Sequence, residues 1–216
     1  MLVVLGVITL YVNFAFSGAD DVRQRQQASA QAEAAREAIR YFVLANKRLP
    51  CPGDDDGYED CTAGETGHLP YLNLGLADDS VNRITYGVYR ATGDDDVTRL
   101  EERTGDAEGQ PDYLGYGDTI SALRRIPEMP VASHIHVAAV NADGTSDCNQ
   151  GLSQPVFILV VPNRDKDSDN NLLDGVNAEA NNCFASPLQA SASNYDDVVV
   201  TESSTTLIGW LARHLN

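Results

Sequence analysis

The residues whose spacing carries the most chemistry are Asp165-Lys166-Asp167-Ser168-Asp169-Asn170-Asn171. Carboxylates alternate at Asp165, Asp167 and Asp169, and alternating oxygen ligands in a loop can converge on one hard cation, as at the opening of a calcium loop. The run departs from an EF-hand, with Asn170 where Gly is wanted and Val176 where the bidentate Glu belongs. The competing expectation is a solvated acidic turn. Calcium is therefore the only cofactor suggested, with Asp165, Asp167 and Asp169 as its ligands. Asp54-Asp55-Asp56-Gly57 is a second acidic cluster. Its carboxylates are contiguous and do not alternate, which reads as a solvated loop.

Four cysteines follow: Cys51, Cys61, Cys148 and Cys183. An even number reads as two disulfides in a domain outside the cytoplasm. Three pairings are possible. The favoured ones are Cys51–Cys61, closing a short acidic loop, and Cys148–Cys183, bracketing the most apolar segment. Zinc sites want close pairs such as C-x-x-C, and the chain has none. His134 and His136 alternate on an expected strand and share one face, but no third ligand can be placed, so they read as surface or core histidines. There is no G-x-S-x-G, no Gly-rich phosphate loop and no H-E-x-x-H. The expectation is a non-enzyme with no small-molecule substrate.

These residues sit in a chain of 216, with 15 Lys and Arg against 32 Asp and Glu, a formal charge of −17. That balance repels phosphate backbones, and without a basic patch nucleic-acid binding is not expected. Hydrophobic residues make up 43%, enough for a real core.

Met1 to Phe16 is an uncharged, almost continuous apolar run. Sixteen helical residues reach about 24 Å, against a bilayer core of about 30 Å. A signal peptide wants a basic residue before such a run and a small-x-small site after it. No basic residue precedes this one, although Ser17-Gly18-Ala19 is tolerable for cleavage. A buried core helix is the third alternative. The favoured reading is a membrane-anchoring helix over 1–17. Ser17-Gly18-Ala19-Asp20-Asp21 offers a flexible joint. Asp20 to Lys47 is rich in Ala, Gln, Arg and Glu, which favour helix. Its first half is polar all round, and its second half places Ala35, Ala38, Ile39, Phe42 and Val43 on one face. Leu49-Pro50-Cys51-Pro52 ends it.

Strands are expected over 83–90, with Ile84, Tyr86 and Val88 on one face, and over 134–140, 155–161 and 197–201. A charged, Gly-rich insertion covers 94–118, a short helix 119–126, and an amphipathic helix 205–215. The fold class is α+β: a long N-terminal helix packed on a small antiparallel sheet. The organisation is an anchoring helix over 1–17, its amphipathic continuation over 18–48, and a globular part over 49–216.

Several stretches resemble the type IV pilin-like proteins and type II secretion pseudopilins. Met1-Leu2-Val3-Val4-Leu5-Gly6-Val7-Ile8 is similar to the apolar run that follows their processing motif. Leu44-Ala45-Asn46-Lys47-Arg48-Leu49-Pro50-Cys51-Pro52 resembles the helix end of one subfamily, and Gly67-His68-Leu69-Pro70-Tyr71-Leu72-Asn73-Leu74-Gly75-Leu76 its continuation. Asn82-Arg83-Ile84-Thr85-Tyr86-Gly87-Val88 and Tyr195-Asp196-Asp197-Val198-Val199-Val200 are similar to its first and last strands. The processing motif and its Glu are not in the chain: either the start codon lies upstream of Met1, which the short apolar run fits, or the protein is not processed and assembled in the family's way. Ser80-Val81 replaces an aromatic-Gly pair. The resemblance implies a structural subunit of a type IV pilus or secretion pseudopilus. It would be single-pass in the bacterial inner membrane before assembly, with its globular part in the periplasm. Its partners would be other pilin-like subunits, met through the N-terminal helix. It also favours calcium, which some major pseudopilins hold in a C-terminal loop. The alternative is a secreted or membrane-tethered extracytoplasmic binding domain that forms no filament.

Overall fold

A computed structural model describes residues 2–77, 83–91, 96–99, 115–126, 134–141, 145–179 and 181–215, with side chains from Asp20 onward. The expected insertion over 94–118 lies largely outside these residues, as does Ser80-Val81.

Helix α1 spans Leu2–Asn46. It runs unbroken through Ser17-Gly18-Ala19, where a joint was expected; one Gly costs a helix only about 1 kcal/mol and does not end it. Its buried stripe is Ala28, Ala32, Ala35, Ile39 and Val43, spaced by three and four. The stripe begins seven residues before the expected face, and Ala38 and Phe42 are only half-buried. Its first three members are alanines, which let the helix backbone approach the sheet closely. Lys47 ends α1 in the left-handed region at φ 59°, its N–H bonded to the Val43 carbonyl.

The main sheet has strands β1 (Thr66–His68), β2 (Thr85–Val88), β5 (Phe157–Val161) and β7 (Val198–Glu202), in the order β1-β2-β5-β7 and all antiparallel. The central strand β5 is buried at every residue, as its continuous apolar run requires. Leu159 lies opposite Tyr86 on one side and Val200 on the other. Helix α1 lies against β5 and β7.

A single small sheet was expected; the described residues form two. The second has the order β4-β3-β6, from β3 (His136–Val140), β4 (Ser146–Ser153) and β6 (Cys183–Phe184). β3 and β4 are antiparallel, whereas β3 and β6 run parallel. β4 (Ser-Asp-Cys-Asn-Gln-Gly-Leu-Ser) is polar, and β6 has two residues, so neither shows the apolar alternation that marks a strand. The sheets meet at Gly87, where a Cβ would lie 3.1 Å from the Phe184 ring. Helices α2 (Tyr116–Arg125) and α3 (Ser204–His214) complete the α+β fold.

Among the described residues no helix is long and apolar enough to cross a membrane. This overturns the expectation of a single-pass inner-membrane protein with its globular part in the periplasm. The apolar run falls short of a bilayer core, and from Asp20 α1 is charged and polar. The side chains of 1–17, where the anchor was expected, lie outside the described residues.

Candidate functional site

Strand β5 delivers the chain into the acidic loop. Asp165 Oδ1 accepts from the Ser168 N–H at 2.6 Å, and its Oδ2 from the Asn170 N–H at 3.1 Å. Asp169 accepts from the Asn171 N–H, and Asp167 from the Gly175 N–H. That bond from Gly175 holds the Asp167 carboxyl below its ordinary range. Ser168 and Asn170 take positive φ, 62° and 68°. The structure does bring Asp165, Asp167 and Asp169 together, with ligand oxygens within 4.8 Å of one another. Each also fixes the loop through backbone donors, which is what Asx side chains do in turns.

Directly behind the loop lies a second carboxylate cluster, drawn from Asp174, Asp196 and Asp197. The three residues are 0%, 4% and 2% exposed. Asp174 accepts from the backbone N–H groups of Lys166 and Asp196, both at 2.8 Å. Asp196 accepts from the Arg164 N–H, and the Lys166 ammonium lies 3.7 Å from its Oδ2. Asp197 Oδ2 accepts from the Asp174 N–H and from Asn177 Nδ2, each at 2.9 Å. Asp197 Oδ1 accepts from nothing. Burial pushes the Asp197 carboxyl up to about 7, helped by the neighbouring charges of Asp174 and Asp196. Burial also raises Asp174. Sequence reasoning did not single these residues out as a site. The available signal was an acidic pair, Asp196-Asp197, abutting the apolar Val198-Val199-Val200.

Both favoured disulfides are present, Cys51–Cys61 and Cys148–Cys183. The first closes a loop also clamped by a bidentate ion pair, Arg48 to Glu59 at 2.7 and 2.9 Å. The second joins β4 to β6. The two histidines are packed into the protein, His134 half-buried and His136 buried: His134 precedes β3 and meets Glu65 at 2.6 Å, while His136 contacts the His134 and Cys148 carbonyls. The Asp54–Gly57 cluster is a turn, with Asp54 Oδ1 accepting from the Asp56 and Tyr58 N–H groups. Beside the second disulfide lies an open cleft of about 700 Å³, lined in part by Val140, Ser146, Leu188, Gln189, Asn194 and Tyr195.

Helix α1 is fastened to the sheet by charge as well as by its apolar stripe. Arg40 donates to both oxygens of Glu202 at 3.0 and 2.8 Å, with Glu202 only 1% exposed. Tyr41 meets Trp210 of α3 edge-on at 5.4 Å between ring centres. Nearer the other end, Arg164 bonds Gln24 and pairs with Asp21. No family model, no curated protein and no solved structure matches the chain.

Proposed function

We propose that this chain is a structural subunit of a pilin-like filament, of the type IV pilus or secretion pseudopilus kind. The observation that carries the reading is the disproportion of α1. At about 1.5 Å per residue its 45 residues extend about 68 Å. Among the residues whose side chains are described, from Asp20 onward, its buried stripe runs from Ala28 to Val43, about 24 Å. The apolar sequence heading the same helix, Leu2 to Phe16, is then the segment that neighbouring copies would bundle around. Assembly of this kind depends on packing fit between helices. The two disulfides suit an oxidising compartment, and the motifs from Leu44 to Leu76 support the same family. The acidic loop would face outward, where calcium bound by Asp165, Asp167 and Asp169 would stiffen it.

The test is disulfide cross-linking through cysteines placed at Val4 or Ile8. No free cysteine occurs among the described residues to compete. A ladder of covalent multimers in cells making the secretion or pilus machinery is the expected result. Monomer alone in those cells would sink the filament reading. The alternative, an extracytoplasmic binding domain that forms no filament, draws on the cleft beside Cys148–Cys183. It predicts a soluble mature protein and no ladder.

A further inference from the structure

We propose that the cleft beside Cys148–Cys183 binds a neutral saccharide chain. The proposal does not rest on the filament reading, and purified single chains test it. The cleft holds about 700 Å³, inside the range of about 300–1,000 Å³ found for ligand sites. Its floor is one face of the second sheet. Val140 lies opposite Ser146, and Cys148 follows two residues on, where the strand period returns a side chain to the same face. The disulfide fixes that floor to β6. The facing wall is the loop over 187–194, exposed at every residue except the half-buried Gln189. Ser146 Oγ donates to Gln189 Oε1 at 3.0 Å, which ties wall to floor. Ser191 and Asn194 line the cleft with side chains that have no hydrogen-bond partner among the described residues. Gln189 spends its amide oxygen on Ser146 and keeps its NH2 group to donate.

The chemistry of these groups narrows the ligand. Hydroxyls and carboxamides both donate and accept, which matches a sugar hydroxyl, since it does the same. Glu179 is the one charged residue described along the cleft. Its carboxylate takes a bond from Asn181 Nδ2 at 2.8 Å and has acceptor capacity left for a hydroxyl. No cation is described there, so phosphate, sulfate and carboxylate ligands meet only repulsion. Leu188 is 91% exposed and Val140 44% exposed, which offers apolar surface to the C–H face of a sugar ring. A peptide fits less well. Strand addition needs a free strand edge, and the floor presents a strand face. A helix needs an apolar groove and a Pro-rich segment an aromatic one, whereas Tyr195, the aromatic residue here, is 4% exposed.

The experiment presents the full, oxidised chain to an array of short neutral glycans and their uronate- and sialate-bearing counterparts. The tightest neutral ligand is then measured by titration calorimetry. The expected result is retention on neutral glycans and none on the acidic ones. Ala190→Trp, which fills the cleft from its exposed wall, should abolish binding. Asn194→Ala and Ser191→Ala should each weaken it about three- to tenfold, the loss of one net hydrogen bond. Gln27→Ala, on an exposed position of α1, should leave it unchanged. All these side chains are exposed, so thermal midpoints matching the parent's show that the variants fold. A chain that retains no neutral glycan overturns the proposal. So does equal retention of the acidic counterparts, or neutral binding that survives Ala190→Trp or is untouched by Asn194→Ala. Should Ala190→Trp fail to fold, Asn194→Ala decides.

Discussion

Replacing Arg40 by Met should detach α1 from β7 at its strongest polar link. Glu202 is 1% exposed and takes two bonds from Arg40, so Arg40→Met leaves a buried carboxylate facing a thioether. Removing one partner of a buried ion pair costs about 3–5 kcal/mol. Two details set the figure within that range. Arg36 Nε lies 3.9 Å from Glu202 Oε2 and can move closer, which offsets part of the loss. Arg40 also lies 6.0 Å from the centre of the Trp210 ring, and Met keeps only some of that packing. The expected cost is about 3 kcal/mol, from the lower end of the range. At about 2–4 °C per kcal/mol for a chain of this size, the melting midpoint should fall by about 6–12 °C. Pairing Arg40→Met with Glu202→Leu removes both charges and should recover to within about 1 kcal/mol of the parent. Urea unfolding followed by circular dichroism, run as a double-mutant cycle, measures the coupling directly. A single variant that loses less than about 1 kcal/mol, or a double variant no more stable than the single, refutes the claim that the pair's burial sets its importance.

The disulfides should differ in weight. Cys148–Cys183 closes a separation of 35 residues and Cys51–Cys61 one of 10. Loop-closure entropy then gives about 4 kcal/mol for the first and about 3 kcal/mol for the second. Denaturant midpoints of the paired Cys→Ser variants should fall in that order. Acid should act through loop carboxylates. The Asp60 carboxyl is held below its ordinary 3.8 by the Thr62 hydroxyl and then by backbone N–H groups, and Asp167 by the Gly175 N–H. A lowered folded value means stability present above the ordinary range and lost as pH falls through and below it. Asp60→Asn should therefore flatten the acid limb of a stability–pH curve. An unchanged limb would show that Asp60 contributes nothing.

Much of the fold was legible because its signals are local. Pro155 to Val161 announces a central strand by composition, since a strand buried on both faces must be apolar throughout. Ile84, Tyr86 and Val88 announce the strand beside it, and Pro50 the limit of α1. Of the second sheet only β3 was legible, as the expected strand over 134–140. β4 is polar along its length, and β6 becomes a strand only because His136 and Val137 lie alongside Cys183 and Phe184. The pairing between chain-distant segments creates those strands, and no periodicity precedes it.

The same division runs through the acidic residues. The alternation of Asp165, Asp167 and Asp169 is a property of neighbours in the chain, so the sequence alone marked an acidic loop, and the fold brought their oxygens within 4.8 Å. Cysteine number likewise made two disulfides readable, while the choice among three pairings is made by the fold, which joins the favoured partners. Asp174 stands 22 residues before Asp196, and nothing local marks Asp174 as buried. Only the tertiary structure decided that β5 and β7 would lie side by side, bringing those carboxylates together away from water. It also decided that Arg40 and Glu202, separated by 162 positions, would meet. Burial is a property of the folded whole, and burial is what turns ordinary surface charges into the strongest electrostatic features of this molecule.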